Sequence, residues 1–277
     1  MSNGKIISIE TAEMANPGRR KTQKKDKDDW IVVIPSYKRA ETLRDKTLTV
    51  LKHYKIPSNK IHVFVANKEE EVIYRKTLEA GTYGKLIVGK PGLAKVRNFI
   101  SDYFPVGKKL VNMDDDITGF LEYSEIAKRN EVPLKSLQGV FRRGFDECKK
   151  HGCRLWGVYP VANGFFMKPK VSTDLRYIIG CCWGCINPGS KAVDIVLDDK
   201  EDYLRSILYY KLDGCVVRMN FVSPKTNYYK EPGGMQEERT MERIEKSARY
   251  IAKKYPEYAT YYDKKKSGYP ELKLHSP

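Results

Sequence analysis

Short apolar runs alternate with amphipathic stretches through the first half of the chain. Trp30-Ile31-Val32-Val33-Ile34, ended by Pro35, predicts a buried strand, and residues 61–66, 85–88 and 110–113 predict three further strands. Residues 40–53, 69–78 and 93–103 between them have helical composition. Strands alternating with helices imply βαβ units and a mostly parallel sheet covered on both faces. Further along, Leu137, Val140, Phe141, Gly144 and Cys148 share one helical face, and residues 155–159, 177–181 and 215–221 predict strands. Residues 201–212 predict a helix closed by Gly214. Residues 236–255 predict an amphipathic helix with an apolar stripe of Met241, Ile244, Ala248, Ile251 and Tyr255. Arg239, Arg243, Lys246, Tyr250 and Lys253 form a second stripe, displaced by about half a helical turn. The expected fold class is α/β: a Rossmann-like, mixed, mostly parallel sheet with flanking helices. Residues 1–29 are expected to be a basic tail, 30–231 the main domain and 232–277 a basic C-terminal helical extension.

Composition narrows the function. An apolar fraction of 41% over 277 residues is enough for a core and excludes a fully disordered chain. No run approaches the length of a membrane span, and the N-terminus lacks the apolar segment of a secretion signal. Six cysteines in a chain this long predict free thiols in a reducing compartment, hence the cytoplasm, or the host cytoplasm for a viral protein. Lys and Arg outnumber Asp and Glu by 51 to 35, a formal charge of +16. That excess favours a polyanionic partner, nucleic acid first. The run Arg19-Arg20-Lys21 with Lys24, Lys25 and Lys27 is either a solvated arm or a source of extra phosphate contacts.

Four segments can carry chemistry. Asp114-Asp115-Asp116 directly follows an apolar strand, and ligands of open α/β sheets bind outside the carboxyl ends of strands. Three adjacent carboxylates repel one another unless a cation neutralises them, and hard oxygen donors suit Mg²⁺ or Mn²⁺ bridged to substrate phosphates. Pro35-Ser36-Tyr37-Lys38-Arg39 ends the first strand with hydroxyls, a ring and a guanidinium. Residues 91–98 place a glycine turn before a helix, with Arg97 one turn in, a pattern that aims N–H groups at an anion. Asp198-Asp199-Lys200-Glu201-Asp202 opens a helix. The dipole alone favours acids there, and the alternative is a general base, Asp202 or Glu201. Cys182-Trp183-Gly184-Cys185, with Cys148 and Cys153, is the competing constellation, a four-thiolate zinc site set against buried free thiols.

Together the segments 33–39, 92–98, 110–116 and 201–204 resemble a GT-A glycosyltransferase. Asn-Met-Asp-Asp-Asp-Ile and the basic character most resemble the TET/JBP-associated, phage-type DNA glycosyltransferases. The resemblance implies a GT-A-like fold and a nucleotide-sugar donor, UDP-glucose above all. It also implies a divalent ion, Mn²⁺ or Mg²⁺, and a hydroxymethylpyrimidine in DNA as acceptor, with no membrane involved. By it, Pro35, Ser36, Tyr37 and Arg39 would hold the nucleoside end. Asn67 stands where many relatives use an Asp for the base, which leaves the nucleotide open. Arg97 would meet the diphosphate or ribose, and Asp114 and Asp115 would lie on the donor. Asp114 and Asp116 would hold the metal with His275, since many GT-A enzymes recruit a C-terminal His. Asp202, or else Glu201, would be the base. Trp183 and Gly184 would lie on the acceptor side, and Arg239, Arg243 and Lys246 would track the DNA backbone. A protein or glycan acceptor, and a non-enzymatic basic nucleic-acid-binding protein, are the alternatives.

Overall fold

The computed structural model describes residues 29–226, 233–234, 239–262 and 270–277. The basic run at 19–27 and the acidic residues Glu237 and Glu238 lie outside them. In chain order the elements are β1 (Trp30–Pro35), α1 (Ala40–Leu43), a π-helical segment Arg44–Leu48 running into α2 (Thr49–His53), β2 (Ile61–Val65), α3 (Lys68–Thr77), β3 (Lys85–Val88), α4 (Leu93–Tyr103) and β4 (Lys109–Met113). There follow β5 (Gly119–Tyr123), β6 (Glu131–Pro133), α5 (Leu137–His151), β7 (Leu155–Val158), β8 (Val171–Ser172), β9 (Cys182–Ile186), α6 (Glu201–Asp213), β10 (Val217–Met219), β11 (Val222–Lys225), α7 (Met241–Lys254), β12 (Ala259–Tyr262) and β13 (Glu271–Leu274).

Eight strands form the central sheet in the order β3-β2-β1-β4-β9-β7-β10-β8. The first four are parallel, as the βαβ pattern predicts. β9 runs antiparallel to both β4 and β7, so β4 and β7 point the same way, and β10 follows β7. The carboxyl ends of β1, β2, β4 and β7 therefore open on one edge of the sheet, where ligands of such sheets bind. The mixed, mostly parallel sheet with flanking helices is the α/β class read from the sequence.

Both faces are covered. Phe141 and Phe145 of α5 pack on Trp156 of β7, which is wholly buried. Gly144 makes that seat: a Cβ there would lie 2.4 Å from the Trp156 ring. On the other face Ile100, Leu204, Ile207, Ala248, Ile251 and Leu272 join α4, α6, α7 and the β12–β13 hairpin in one cluster. Each large side chain so buried contributes about 1.5–3 kcal/mol.

Four expectations change. Residues 177–181 are not a strand; the strand is β9, beginning at Cys182. Side chains take the backbone bonds of this segment instead: Ser206 Oγ accepts from Ile178 N–H, while Arg205 and Arg97 donate to the carbonyls of Ile178 and Gly180. Of the predicted strand at 215–221 only Val217–Met219 is strand, β10, and a further strand, β11, follows after Asn220 and Phe221. The C-terminal region adds a hairpin to its helix. Finally, Cys153 and Cys215 form a disulfide, so the cysteines are not all free thiols and Cys153 cannot complete a zinc set; Cys148, Cys181, Cys182 and Cys185 are buried and free. No helix among the described residues is long and apolar enough to cross a membrane.

Candidate active site

The acidic triplet leaves the end of β4 in a turn held from below by Thr47. This threonine is fully buried; its Oγ1 donates to Asp114 O and accepts from Ile117 N–H. The π-helical segment is what brings Thr47 there. The three carboxylates then diverge. Asp115 turns inward: Ser36 Oγ donates to it at 2.6 Å and Arg39 Nη1 lies 3.2 Å away. Tyr74 of α3 closes the knot, its hydroxyl 2.7 Å from Ser36 Oγ and accepting from Arg39 N–H. Burial pushes the Asp115 carboxyl up to about 6, against the pull of Arg39 and Ser36. Ser36, Arg39 and Asp115, expected on the donor, thus brace one another.

Asp114 and Asp116 keep more freedom, with side chains 39% and 14% exposed. Asp114 accepts from Arg97 Nη2 at 3.1 Å. Asp116 accepts from Thr226 Oγ1 at 2.9 Å and lies 3.6 Å from Arg39 Nη1. Burial drives the Asp114 carboxyl up to about 7; Arg97 opposes the rise, and Asp116, Asp115 and Glu201 add to it.

Arg97 is the hub. Its guanidinium is 4% exposed and also donates to Asn112 Oδ1 and to Gly180 O, with Glu201 Oε1 3.8 Å from its Nε. Glu201 is buried and salt-bridged one turn on to Arg205. Two guanidiniums thus face this acid. Asp202 Oδ2 accepts from Tyr177 O–H at 2.5 Å and its Oδ1 from Tyr203 N–H at 3.0 Å. Burial, then the neighbouring Glu201, raises the Asp202 carboxyl above its ordinary range. Each carboxylate oxygen retains a second lone pair for a substrate proton.

Other expected residues are placed differently. Asn67 N-caps α3, accepting from Glu70 N–H. The N-terminus of α4 already has its anion, because Asp198 Oδ1 accepts from Ala94 N–H at 2.8 Å. Trp183 is 5% exposed inside β9, with the guanidinium carbons of Arg205 and Arg97 4.0 and 5.5 Å from its ring centroid. Gly184 beside it is packed against Trp156, so neither residue faces an acceptor. His275 follows β13, its Nε2 3.1 Å from Thr260 Oγ1. Among the described residues no three His, Cys, Asp or Glu side chains are grouped to hold an ion, so His275 does not join Asp114 and Asp116. α7 begins at Met241, so Arg239 precedes the helix, and the expected basic stripe is also redirected. Arg239 Nε and Arg243 Nε bind the two oxygens of Asp199, which is 3% exposed, at 3.0 and 3.2 Å. Lys246 alone of the three is exposed.

Sequence reasoning missed Thr47, Tyr74, Tyr177 and Gly180. Nothing local marks them, since each reaches its partner across more than 20 residues of chain. The Glu201–Arg205 pair, by contrast, has the i,i+4 spacing of a helical ion pair.

No protein-family model matches the chain. No curated protein matches it either. Solved structures do. S. aureus TarS residues 1–349 is 12% identical over 82% of this chain and 73% of that one, with a TM-score of 0.46. The mannosyltransferase PcManGT from Pyrobaculum calidifontis, in complex with GDP-Man and Mn²⁺, is 11% identical over 82% of this chain and 64% of that one, TM-score 0.45. Glucosyl-3-phosphoglycerate synthase from Mycobacterium tuberculosis, in complex with Mn²⁺, UDP and glucosyl-3-phosphoglycerate, is 10% identical over 89% of this chain and 87% of that one, TM-score 0.46. Likeness at this level assigns no activity; the side chains at the sheet edge have to do so.

Proposed function

We propose that the chain is a metal-assisted glycosyltransferase that moves a hexose, glucose from UDP-glucose, onto a hydroxymethylpyrimidine in DNA. One observation carries the reading: Arg97 bridges Asp114 at the end of β4 to Gly180 and Glu201, which stand beside the half-buried carboxylate of Asp202. A cationic arm, paired carboxylates and a separate base at one sheet edge are the parts that displacement of a nucleoside diphosphate requires. The +16 charge supports a nucleic-acid acceptor.

Asp114 and Asp116 suit a hard divalent ion: both are oxygen donors, and they repel each other, Asp116 adding to the rise in the Asp114 carboxyl that burial begins. When bound, such an ion supplies charge neutralisation for the leaving diphosphate. Arg97 adds its own positive charge beside it. Asp202 removes the proton from the acceptor hydroxyl. The new carbon–oxygen bond then forms at the anomeric carbon while the bond to the diphosphate breaks, its electron pair leaving with the diphosphate. Tyr177 keeps Asp202 oriented by donating to Oδ2. A base of this kind supports a single displacement with inversion.

The test is mass spectrometry of nucleosides from hydroxymethylated DNA incubated with the protein, Mn²⁺ and a panel of nucleotide sugars. The expected product carries one added hexosyl group, and is lost in EDTA and in Asp116→Ala. Release of no nucleoside diphosphate from any donor refutes the reading.

A further inference from the structure

With Trp183 buried and Arg239 and Arg243 engaged by Asp199, the acceptor side needs another surface. One stands out. Phe165 and Phe166 are adjacent in sequence, 60% and 59% exposed, on the loop that leaves the carboxyl end of β7. The loop is built to present them. Phe165 N–H donates to Asn163 Oδ1 and Phe166 N–H to Asn163 O, which makes a tight turn. Tyr159 N–H and Lys168 N–H pin its two ends to Val222 and Asn220, and Met167 plugs it into the core at 0% exposure.

A second loop, between β5 and β6, is packed against the first. Gly164 N–H donates to Glu131 Oε2 at 2.6 Å, and a Cβ on Gly164 would lie 2.3 Å from Arg129 O. That second loop exposes Ile126, at 98%. Around the apolar tips lie the exposed cations Lys128, Arg129, Lys168 and Lys170; Glu125 is the one exposed acid within the two loops among the described residues. The foot of the first loop reaches the candidate base. Arg218 stacks over the Tyr159 ring at 5.4 Å and donates to Tyr177 O, and Tyr177 holds Asp202.

We propose that Phe165 and Phe166 are a wedge that stacks on, and unstacks, bases of duplex DNA beside the target pyrimidine, with Lys128, Arg129, Lys168 and Lys170 on the flanking phosphates. Rings give stacking surface to any base and cations neutralise phosphate, and this loop pair joins the two. The pyrimidine 5-position already faces the major groove, and unstacking would further let the target base turn toward a carboxylate at the sheet edge. The choice of acceptor rests on the function proposed above; the wedge itself does not require sugar transfer.

The experiment uses the full chain and a short duplex with 2-aminopurine beside 5-hydroxymethylcytosine. Binding by the parent protein raises the 2-aminopurine fluorescence as stacking is lost. The double variant Phe165→Ala, Phe166→Ala binds about 10–100-fold more weakly and gives no rise. Its UDP release without acceptor and its melting temperature match the parent, because both rings are on the surface. The salt slope of DNA binding persists in the Phe variant and falls in Lys168→Gln, Lys170→Gln by about the number of phosphate contacts removed. A Phe variant that binds and unstacks like the parent overturns the inference. So does a parent protein that ignores the duplex but sediments with anionic vesicles through these two rings. A parent that unstacks DNA yet releases no UDP refutes the transferase reading and leaves the wedge standing.

Discussion

Replacing Asp199 by Asn tests whether Arg239 and Arg243 serve the active site or bind DNA. In the structure Asp199 is 3% exposed and holds two guanidiniums, Arg239 at 3.0 Å and Arg243 at 3.2 Å. A hydrogen bond to a charged group contributes about 1.5–3 kcal/mol, so two set a ceiling near ~6 kcal/mol. Arg239 and Arg243 are 22% and 36% exposed and regain water on release, which lowers the expected loss to about 2–4 kcal/mol. For a chain of this size the melting temperature falls by roughly 5–15 °C. The effect reaches the chemistry, because Asp199 lies three residues before Asp202 and Lys200 between them adopts φ = 60°, a conformation that neighbours must enforce. Asp199→Asn should lower kcat more than it raises the donor KM. Denaturant unfolding of Asp199→Asn, Arg243→Gln and the double variant gives the coupling, expected at about 1–2 kcal/mol. Additive single effects, together with a flattened salt slope of DNA binding in Arg243→Gln, would refute the clamp and return the stripe to the DNA.

Asp202→Asn should reduce kcat by about 10²–10⁴-fold with donor KM little changed. In the parent, kcat falls on the acid side of a pKa raised above the ordinary Asp value near 3.8, and an acid limb at that ordinary value in the parent contradicts the assignment. Gly184→Ala sets a Cβ 2.3 Å from the buried Trp156 ring and should destabilise by about 1–3 kcal/mol; unchanged stability with an altered KM for DNA would restore the acceptor role. His62 is held neutral: burial first, then Lys85 and Lys108, push it down to about 4 from 6.5. Its folded pKa is depressed, so the stability it contributes is present above 6.5 and is lost as the pH falls toward 4. Thermal melts of His62→Gln should show a shallower acid slope over that window, and an identical slope rules His62 out.

Much of the frame was legible because local pattern determined it. Strands β1, β2 and β4 are near-continuous apolar runs with helical stretches between them, and burial on both faces demands that composition. Gly214 stopped α6 at the residue expected for a left-handed cap. Residues 177–181 misled because their apolar composition suits a strand, yet Arg97, Arg205 and Ser206 satisfy their backbone from far along the chain. The Arg239–Arg243 stripe misled in another way. Helical spacing put both on one side, whereas α7 begins only at Met241 and both guanidiniums turn to the buried Asp199. The direction of each carboxylate in the triplet was equally hidden, since Asp115 turns inward to meet Ser36 and Arg39 from a different strand end.

The Cys153–Cys215 bond divides the site by topology. It closes a loop spanning 62 residues, which in the chain-entropy view stabilises the fold by about 4 kcal/mol. Tyr177, Gly180, Glu201 and Asp202 all lie inside that covalent ring, whereas Arg39, Arg97, Asp114 and Asp116 lie outside it. The two parts are joined through the sheet, where β9 inside the ring pairs with β4 outside it, and within the site through the contacts of Arg97 with Gly180 and Glu201. Reduction returns entropy to the unfolded chain and so lowers the stability of the fold as a whole. The segment it frees carries the proposed base, while the knot of Ser36, Tyr74 and Asp115 lies outside it. A thiol reductant should therefore lower the temperature at which transfer is lost.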